Sequence, residues 1–208
     1  MEQEKQTQSY TLKEIIEEAI QNQEDIQHYV WEDKKETILA EKLEFFHCHW
    51  QNCQCVDSTL TEVSFHQNTF QNCDFSNTDF SGSTFVKTKF VNCKLVGCNF
   101  TNCSFFQTQI EGSNCAYANL YSSYQKEVVW SSSNLTSSVI SETKFHQVKW
   151  QECNLQKAQL FQTILQGIDL TTCDLSGIVV AIPDLKGVKV NEWQAIELAK
   201  LMEIIIEP

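Results

Sequence analysis

One spacing constrains this chain more than any other feature: from position 45 to position 190, every fifth residue is apolar except Gln125. An α-helix buries residues at spacings of three and four, and a half-buried strand buries every second residue, so neither explains a period of five. The period predicts a repeat protein, whose units bury their apolar residues only by stacking on neighbours. Gln125 indicates either a local bulge or a tolerated distortion of one unit.

A second series of positions lies two residues before each large apolar residue and holds mostly small side chains. The unit is therefore a small residue, a polar one (often Asp or Asn), a large apolar one, and two more polar ones. Both the small and the large position are predicted to point inward, which leaves three outward positions in five. Members of the small series include Cys73, Thr78, Ser83, Thr88, Cys93, Cys98, Cys103, Thr108 and Ser113.

Units such as CDFSN, TDFSG and CNFTN resemble those of the pentapeptide-repeat proteins, whose pattern is A(D/N)LxX, over about residues 38–190. The resemblance implies an all-β fold, a right-handed quadrilateral parallel β-helix with four repeats per coil. Residues twenty apart then stack at about 4.8 Å, the spacing of paired strands. Aromatic residues such as Phe45, Phe65 and Phe85 are expected to form ladders through the core.

The two ends of the chain lack the repeat and divide it into three predicted regions. Residues 1–37 form an acidic helical segment, 38–190 form the β-helix, and 191–208 form a C-terminal capping and dimerisation helix with a tail. Thr11, with Glu14 three residues later, predicts the start of the N-terminal helix. This helix either covers the open edge of the first coil or binds a partner.

The C-terminal helix is predicted to begin after Asn191, with Gln194 completing its cap. Apolar residues cover more than half of its circumference, which exceeds what a simple lid requires. One side can close the last coil while the other meets a second copy, so we expect a two-fold homodimer. The predicted interface consists of Trp193, Ile196, Ala199, Leu201 and Met202.

Composition indicates a soluble cytoplasmic protein. The net charge is −12, arginine is absent, and no signal peptide or run of eighteen apolar residues is visible. All ten cysteines fall in the two inward series, where they act as buried hydrophobic residues. We expect free thiols, because the cytoplasm is reducing.

Neither a metal site nor an enzyme is predicted. The segment HCHWQNCQC carries zinc-binding residue types, but the repeat places His47 and His49 outside and Cys48, Cys53 and Cys55 inside. Ligands on opposite sides of a β-wall cannot converge on one ion. No catalytic motif or phosphate-binding loop occurs, so the chain is expected to need no cofactor.

The C-terminal segment LKGVKVNEWQAIELAKLMEIIIEP resembles the cap of the Qnr-type quinolone-resistance branch of the pentapeptide-repeat proteins. The resemblance implies a DNA mimic that binds DNA gyrase or topoisomerase IV, protects it from quinolones or modulates it, and does not itself bind nucleic acid or membrane. The alternative is a structural scaffold or interaction module with a different partner. The matching residues are Leu185, Gly187, Val188, Val190, Gln194, Ala195, Leu198 and Ala199.

Charge is distributed unevenly along the chain. The first 44 residues hold twelve acids and five lysines, whereas positions 45–190 are almost balanced, with eleven acids and nine lysines. Within the coils, acids collect on two neighbouring faces, and such a seam could steer the rod toward a basic DNA-binding surface. Ordinary solvated surface is the alternative interpretation. The seam consists of Asp57, Glu62, Asp74, Asp79, Glu142 and Asp174.

Overall fold

The computed structural model describes residues 11–207, which wind into a four-sided parallel β-helix with a helix at each end. This confirms the predicted fold. Residues 1–10 of the predicted N-terminal segment and residue 208 of the predicted C-terminal segment lie outside the described residues.

Two sheets of seven parallel strands form adjacent walls of the β-helix. The first sheet contains β1 (Ile26–Gln27), β4 (Glu44–Phe46), β7 (Ser64–His66), β9 (Thr84–Val86), β11 (Ser104–Phe106), β13 (Tyr124–Lys126) and β15 (Lys144–His146). The second contains β2 (Val30–Glu32), β5 (His49–Gln51), β8 (Thr69–Gln71), β10 (Lys89–Val91), β12 (Gln109–Glu111), β14 (Val129–Ser131) and β16 (Lys149–Gln151). The other two walls are mostly turns joined by single bridges, apart from the pair β3 (Leu39–Glu41) and β6 (Thr59–Thr61).

The strands pair in a register of twenty residues, as the repeat predicts. Phe45 lies opposite Phe65, and Phe65 opposite Phe85. Their rings stack with centroids 5.2 and 5.1 Å apart. Both inward series are buried from Leu43 to Val180, with Phe145 the one partly exposed residue. The predicted aromatic ladders therefore form the core.

Small residues at the inward corners have a hydrogen-bonding role that the period alone does not reveal. The hydroxyl of Thr78 donates to the carbonyl oxygen of Cys55 at 2.9 Å, and Ser83 donates to Leu60 at 2.7 Å. Each bond joins one coil to the coil before it. A small residue is favoured there because it fits the corner and satisfies a buried carbonyl group.

The sharp corners require a left-handed backbone at the last position of each repeat. Every fifth residue from Lys42 to Gly167 has a positive φ, between 46° and 78°. Asn and Gly tolerate this conformation best, whereas other residues adopt it at a cost of about 1–2 kcal/mol. The cost is accepted because the turn directs both neighbouring repeats into the core.

The β-helix begins earlier than residue 38, where the sequence predicts its start. Strands β1 and β2 lie inside the predicted helical segment, and Trp31 pairs with Trp50. Their register is nineteen residues rather than twenty, and it changes to twenty between the Lys35–Gln54 bridge and the Leu39–Thr59 pair. This one-residue shift moves the first coil out of the phase of the later repeats and hides it from a search for the period.

Helix α1 (Leu12–Asn22) covers the N-terminal end of the core. Thr11 and Glu14 form the predicted reciprocal cap, and the carboxylate of Glu36 accepts the backbone N–H groups of Leu12 and Lys13. The buried side chains of the helix are Leu12, Ile15, Ile16 and Ala19. Its apolar face is thus used for capping, whereas Ile20 is exposed.

The C-terminal end is closed by a short 3-10 helix, η1 (Ile182–Leu185), by α2 (Glu192–Ala199) and by a second 3-10 turn, η2 (Lys200–Met202). Asn191 and Gln194 form the predicted cap. The buried amide of Gln194 also donates to the carbonyl oxygens of Leu170 and Cys173, at 2.8 and 2.6 Å. One side chain therefore both caps α2 and anchors it to the last coil.

Gln125 causes no bulge. It pairs in register with Phe105 and with Phe145 and is fully buried. Its side-chain oxygen accepts the indole N–H of Trp130 at 3.0 Å, whereas its amide nitrogen has no hydrogen-bond partner among the described residues. The polar residue is tolerated in the core because half of its hydrogen-bonding capacity is satisfied by the next repeat.

Candidate partner-binding surfaces

The six seam acids fall into one cluster and two separate positions. Asp57, Glu62, Asp74 and Asp79 lie in consecutive coils, which are joined by the bridges Gln54–Asp74 and Thr59–Asp79. Glu142 lies three coils further along, and Asp174 lies further still. In the coils between Asp79 and Glu142, the positions equivalent to Asp74 and Asp79 are asparagines except for Lys94 and Val139. The structure therefore contains a compact acidic cluster, defined here as the first four residues, rather than a continuous stripe.

Three of the seam acids have a local structural function. The carboxylates of Asp74, Asp79 and Asp174 each accept the backbone N–H group two residues later, at 2.9 Å. This is an Asx turn, which asparagine makes equally well. Asn99, Asn114 and Asn134 repeat the same contact in other coils, so Asp at this position is explained by turn formation alone.

Neighbouring groups modify the charge of the acidic cluster. Lys94 forms an ion pair with Asp74 at 3.0 Å, and Lys42 lies 3.9 Å from Glu62. Burial opposes ionisation of Asp74, but hydrogen bonds from Ser76 and Lys94 outweigh it and lower the pKa of this carboxyl group. Asp57 and Glu62 are exposed, and Asp57 accepts a hydrogen bond from the side-chain amide of Asn77. These two exposed acids are the best placed to meet a partner.

The last two seam positions lie near the C-terminal end. Glu142 is exposed, and its hydrogen bond to Tyr121 raises the pKa of the tyrosine hydroxyl. Asp174 accepts hydrogen bonds from Gln156 and Ser176, and these lower its pKa. Both carboxylates are thus engaged by neighbouring side chains.

The predicted dimer residues form a large apolar surface beyond the last coil. Trp193 is 72% exposed and Met202 55%, while Ile196 and Leu201 are exposed to smaller extents and Ala199 is half-buried. Three consecutive isoleucines, Ile204–Ile206, extend this surface. An exposed apolar surface of this kind is typical of an interaction site.

Sequence reasoning missed a break in the wall of the β-helix. Strands β15 and β16 are the last members of their sheets, although another coil follows them. No backbone hydrogen bond joins residues 144–151 to residues 164–171. Two clefts of about 640 and 430 Å3 open between these segments on adjacent walls. The period gives no sign of the break, because Leu165 and Leu170 continue it.

The cysteines and histidines form no metal site in the described part of the chain. All ten cysteines are free and buried, as predicted, while His47 and His49 are exposed. Burial raises the pKa of the Cys98 thiol to about 12, so this thiol is unreactive at neutral pH. No group of three potential ligands among residues 11–207 could hold an ion. None of the helices described is long and apolar enough to cross a bilayer.

Comparison with solved structures returns repeat proteins of low similarity. HetL, a pentapeptide repeat protein involved in heterocyst differentiation regulation from Nostoc sp. strain PCC 7120, is 13% identical, with 86% of this chain and 94% of that chain covered and a TM-score of 0.33. Full-length QnrB1, a plasmid-mediated fluoroquinolone resistance protein, is 17% identical, with 86% and 98% covered and a TM-score of 0.34. A pentapeptide repeat protein of the Arabidopsis thaliana thylakoid lumen is 20% identical, with 62% and 75% covered and a TM-score of 0.32. Similarity at this level transfers no function to this chain.

Sequence-family comparison gives a direct assignment. A family described as pentapeptide repeat region matches residues 43–120, and one described as pentapeptide repeats, in eight copies, matches residues 138–177. No curated protein matches the sequence. Both matched segments lie within the part of the chain, Leu43 to Val180, whose inward series form the core. The chain is a member of the pentapeptide-repeat family.

Proposed function

We propose that this protein binds a type II topoisomerase, DNA gyrase or topoisomerase IV, as a mimic of duplex DNA, and protects the enzyme from quinolones or modulates it. The supporting observation is the Qnr-type C-terminal motif on the end of a β-helix that carries an acidic cluster. Val188 and Val190 pack against the core, and Gln194 and Leu198 are buried against the last coil. The motif thus supplies a cap that leaves the outer side of α2 exposed.

Shape and charge agree with this proposal. Seven strands stack in each principal wall, with spacings of about 4.8 Å. Two rods joined at their C-terminal ends would extend on the order of 70 Å, which equals about twenty base pairs of duplex. The acidic cluster and the net charge of −12 are negative, and a basic DNA-binding surface attracts negative charge.

The proposed form is a homodimer joined through Trp193, Ile196, Ala199, Leu201 and Met202. A two-fold axis brings the same exposed patch of each copy together. Trp193→Glu places a charge at the most exposed residue of that patch and is expected to leave a monomer in light scattering at micromolar concentration. A wild-type protein that is itself monomeric there would contradict the dimer.

Neutralising the acidic cluster tests the proposed role of charge. Asp57→Asn with Glu62→Gln removes two exposed charges, keeps the side-chain shapes and leaves the Asx turns intact. We expect about tenfold weaker binding to gyrase at low salt, mostly through slower association. The control, Glu18→Gln with Glu24→Gln, removes two exposed charges from the N-terminal cap. Equal binding by both variants would refute the role of the cluster.

A second candidate function is a scaffold or interaction module with an unrelated partner. Proteins of this family with a solenoid fold are typically structural or interaction modules. The nearly neutral charge of the coils and the exposed apolar C-terminal surface favour this candidate. Wild-type protein that does not bind either topoisomerase would support it over the first.

A further inference from the structure

The two clefts expose backbone on both of their sides. On one side, β15 and β16 are edge strands, paired only with the preceding coil. On the other, the segment around residues 164–171 is hydrogen-bonded to the residues that follow it. The N–H group of Leu165 donates to the carbonyl oxygen of Asp184 at 3.0 Å, and that of Leu170 donates to the carbonyl oxygen of Lys189 at 2.9 Å. Backbone groups facing across the gap are therefore free to pair with an added strand.

Two features of the sequence coincide with the opening. Ile168 occupies the corner column in which Thr88 and Thr108 donate to the carbonyl groups of the preceding coil at 3.0 Å, and the equivalent bond from position 168 would reach Phe145. Isoleucine lacks that donor and is bulkier than threonine. In addition, Asp169 forms an Asx turn opposite strand β16, in which its carboxylate accepts the backbone N–H group of Thr171 at 3.0 Å. The coils thus lose a direct bond at the point where their backbone shapes diverge.

The larger cleft presents apolar surface as well as free backbone. It is lined by Glu142, Thr143, Lys144, Phe145, Ile164 and Gln166, among others. Phe145 is partly exposed there, unlike the other residues of its column, and Ile164 is 71% exposed. An extended segment with an apolar central residue would fit this cleft, because every strand of the wall has the same pattern of one inward residue between two outward ones.

The chain itself contains such a segment. Residues 203–207 read Glu-Ile-Ile-Ile-Glu, and β-branched residues favour strands. They carry no helix or strand assignment beyond the left-handed turn at Glu203, and Ile205 is 88% exposed. The two glutamates are opposite in sign to Lys144 and Lys149, neither of which has an ion-pair partner within residues 11–207.

We propose that the tail, residues 203–207, of a second copy docks in the larger cleft as an added strand against β15, with Ile205 directed toward Phe145. The cleft and the tail both lie at the C-terminal end of the rod, so the exchange can be reciprocal about a two-fold axis. The tail is exposed and does not fill the cleft of its own chain. We therefore assign the tail of a second copy as the occupant. This interface rests on the homodimer proposed above and adds a second contact to it.

Amide hydrogen exchange, measured on the full chain, tests whether two copies dock their tails in each other's clefts. In wild-type protein, the amides of β15, residues 144–146, should exchange at least tenfold more slowly at a concentration where light scattering shows dimer than at one where it shows monomer. Ile205→Asp should abolish this protection and weaken dimerisation about tenfold or more, since a buried isoleucine is replaced by a charge. Ile20→Asp changes an isoleucine that is 47% exposed at the opposite end and should alter neither result.

The outcomes separate this inference from the dimer on which it rests. A dimer in which residues 144–146 exchange equally fast in the wild type and in Ile205→Asp overturns tail docking. If Trp193→Glu then yields a monomer, the α2 interface stands without the tail. Wild-type protein that is monomeric at every concentration overturns both proposals.

Discussion

At the scale of single residues, the repeat assigns each position a different physical task. Large residues such as Phe80 fill the core, small ones such as Ser83 bond to the preceding coil, and Asp or Asn forms the turn. The inward positions could be predicted because burial follows the period. The Asx turns could not, because an outward Asp has the same appearance in a sequence whether it binds a partner or its own backbone.

Phe80→Ala tests the packing of the central residues. Phe80 is fully buried, and its ring stacks on Phe100 with centroids 5.1 Å apart. We expect the free energy of unfolding in urea to fall by about 3–5 kcal/mol, because the substitution leaves a cavity between two coils. Phe161→Ala is the control, since Phe161 is 45% exposed, and should cost about 1 kcal/mol or less. Equal losses in both variants would contradict the inward assignment.

The turn carboxylates predict how stability depends on pH. The pKa values of Asp74, Asp169 and Asp174 are lowered in the folded protein. Their contribution is complete above the unfolded value of about 3.9 and is lost as the pH falls through the lower folded values. Urea unfolding between pH 6 and pH 3 should therefore show falling stability.

Asparagine variants give the control for this pH effect. Asp74→Asn with Asp174→Asn keeps the turns and removes two of the titrating groups, so part of the decline should disappear. An unchanged decline in the double variant would show that these carboxyl groups do not contribute to it.

At the scale of elements, the coils are predictable and their exceptions are not. The β-helix and both capping boxes follow from the sequence. The first coil is hidden by a register of nineteen, and the break after β15 and β16 leaves the period intact. Both exceptions depend on how one coil pairs with the next, which a pattern along the chain does not record.

Gln194 is expected to help hold α2 against the last coil. Its amide is buried and donates to two carbonyl groups of the last coil. Gln194→Ala should lower the free energy of local opening of α2 by about 1–3 kcal/mol, because both carbonyl groups lose their donor. Hydrogen exchange of residues 192–199 measures this change, with the exposed Glu197→Ala as control. Equal exchange in the two variants would show that α2 is held by apolar contacts alone.

At the scale of the whole molecule, the protein is a rod with different surfaces at its two ends. The N-terminal end is closed by a helix that buries its apolar face, whereas the C-terminal end exposes Trp193 and the isoleucine tail. The acidic cluster lies in the coils nearer the N-terminal end. In a dimer joined at the C-terminal ends, the two clusters would lie toward opposite ends of one long body, as the phosphates of a duplex extend on both sides of its centre.

Gyrase supercoiling tests the central claim most directly. Purified protein is titrated into the reaction with and without a fluoroquinolone, with Asp57→Asn plus Glu62→Gln as the matched variant. We predict that wild-type protein restores supercoiling in the presence of the drug or inhibits it at higher concentration, and that the variant needs about tenfold more protein for the same effect. No effect of wild-type protein in either condition at micromolar concentration would contradict a topoisomerase-directed DNA mimic.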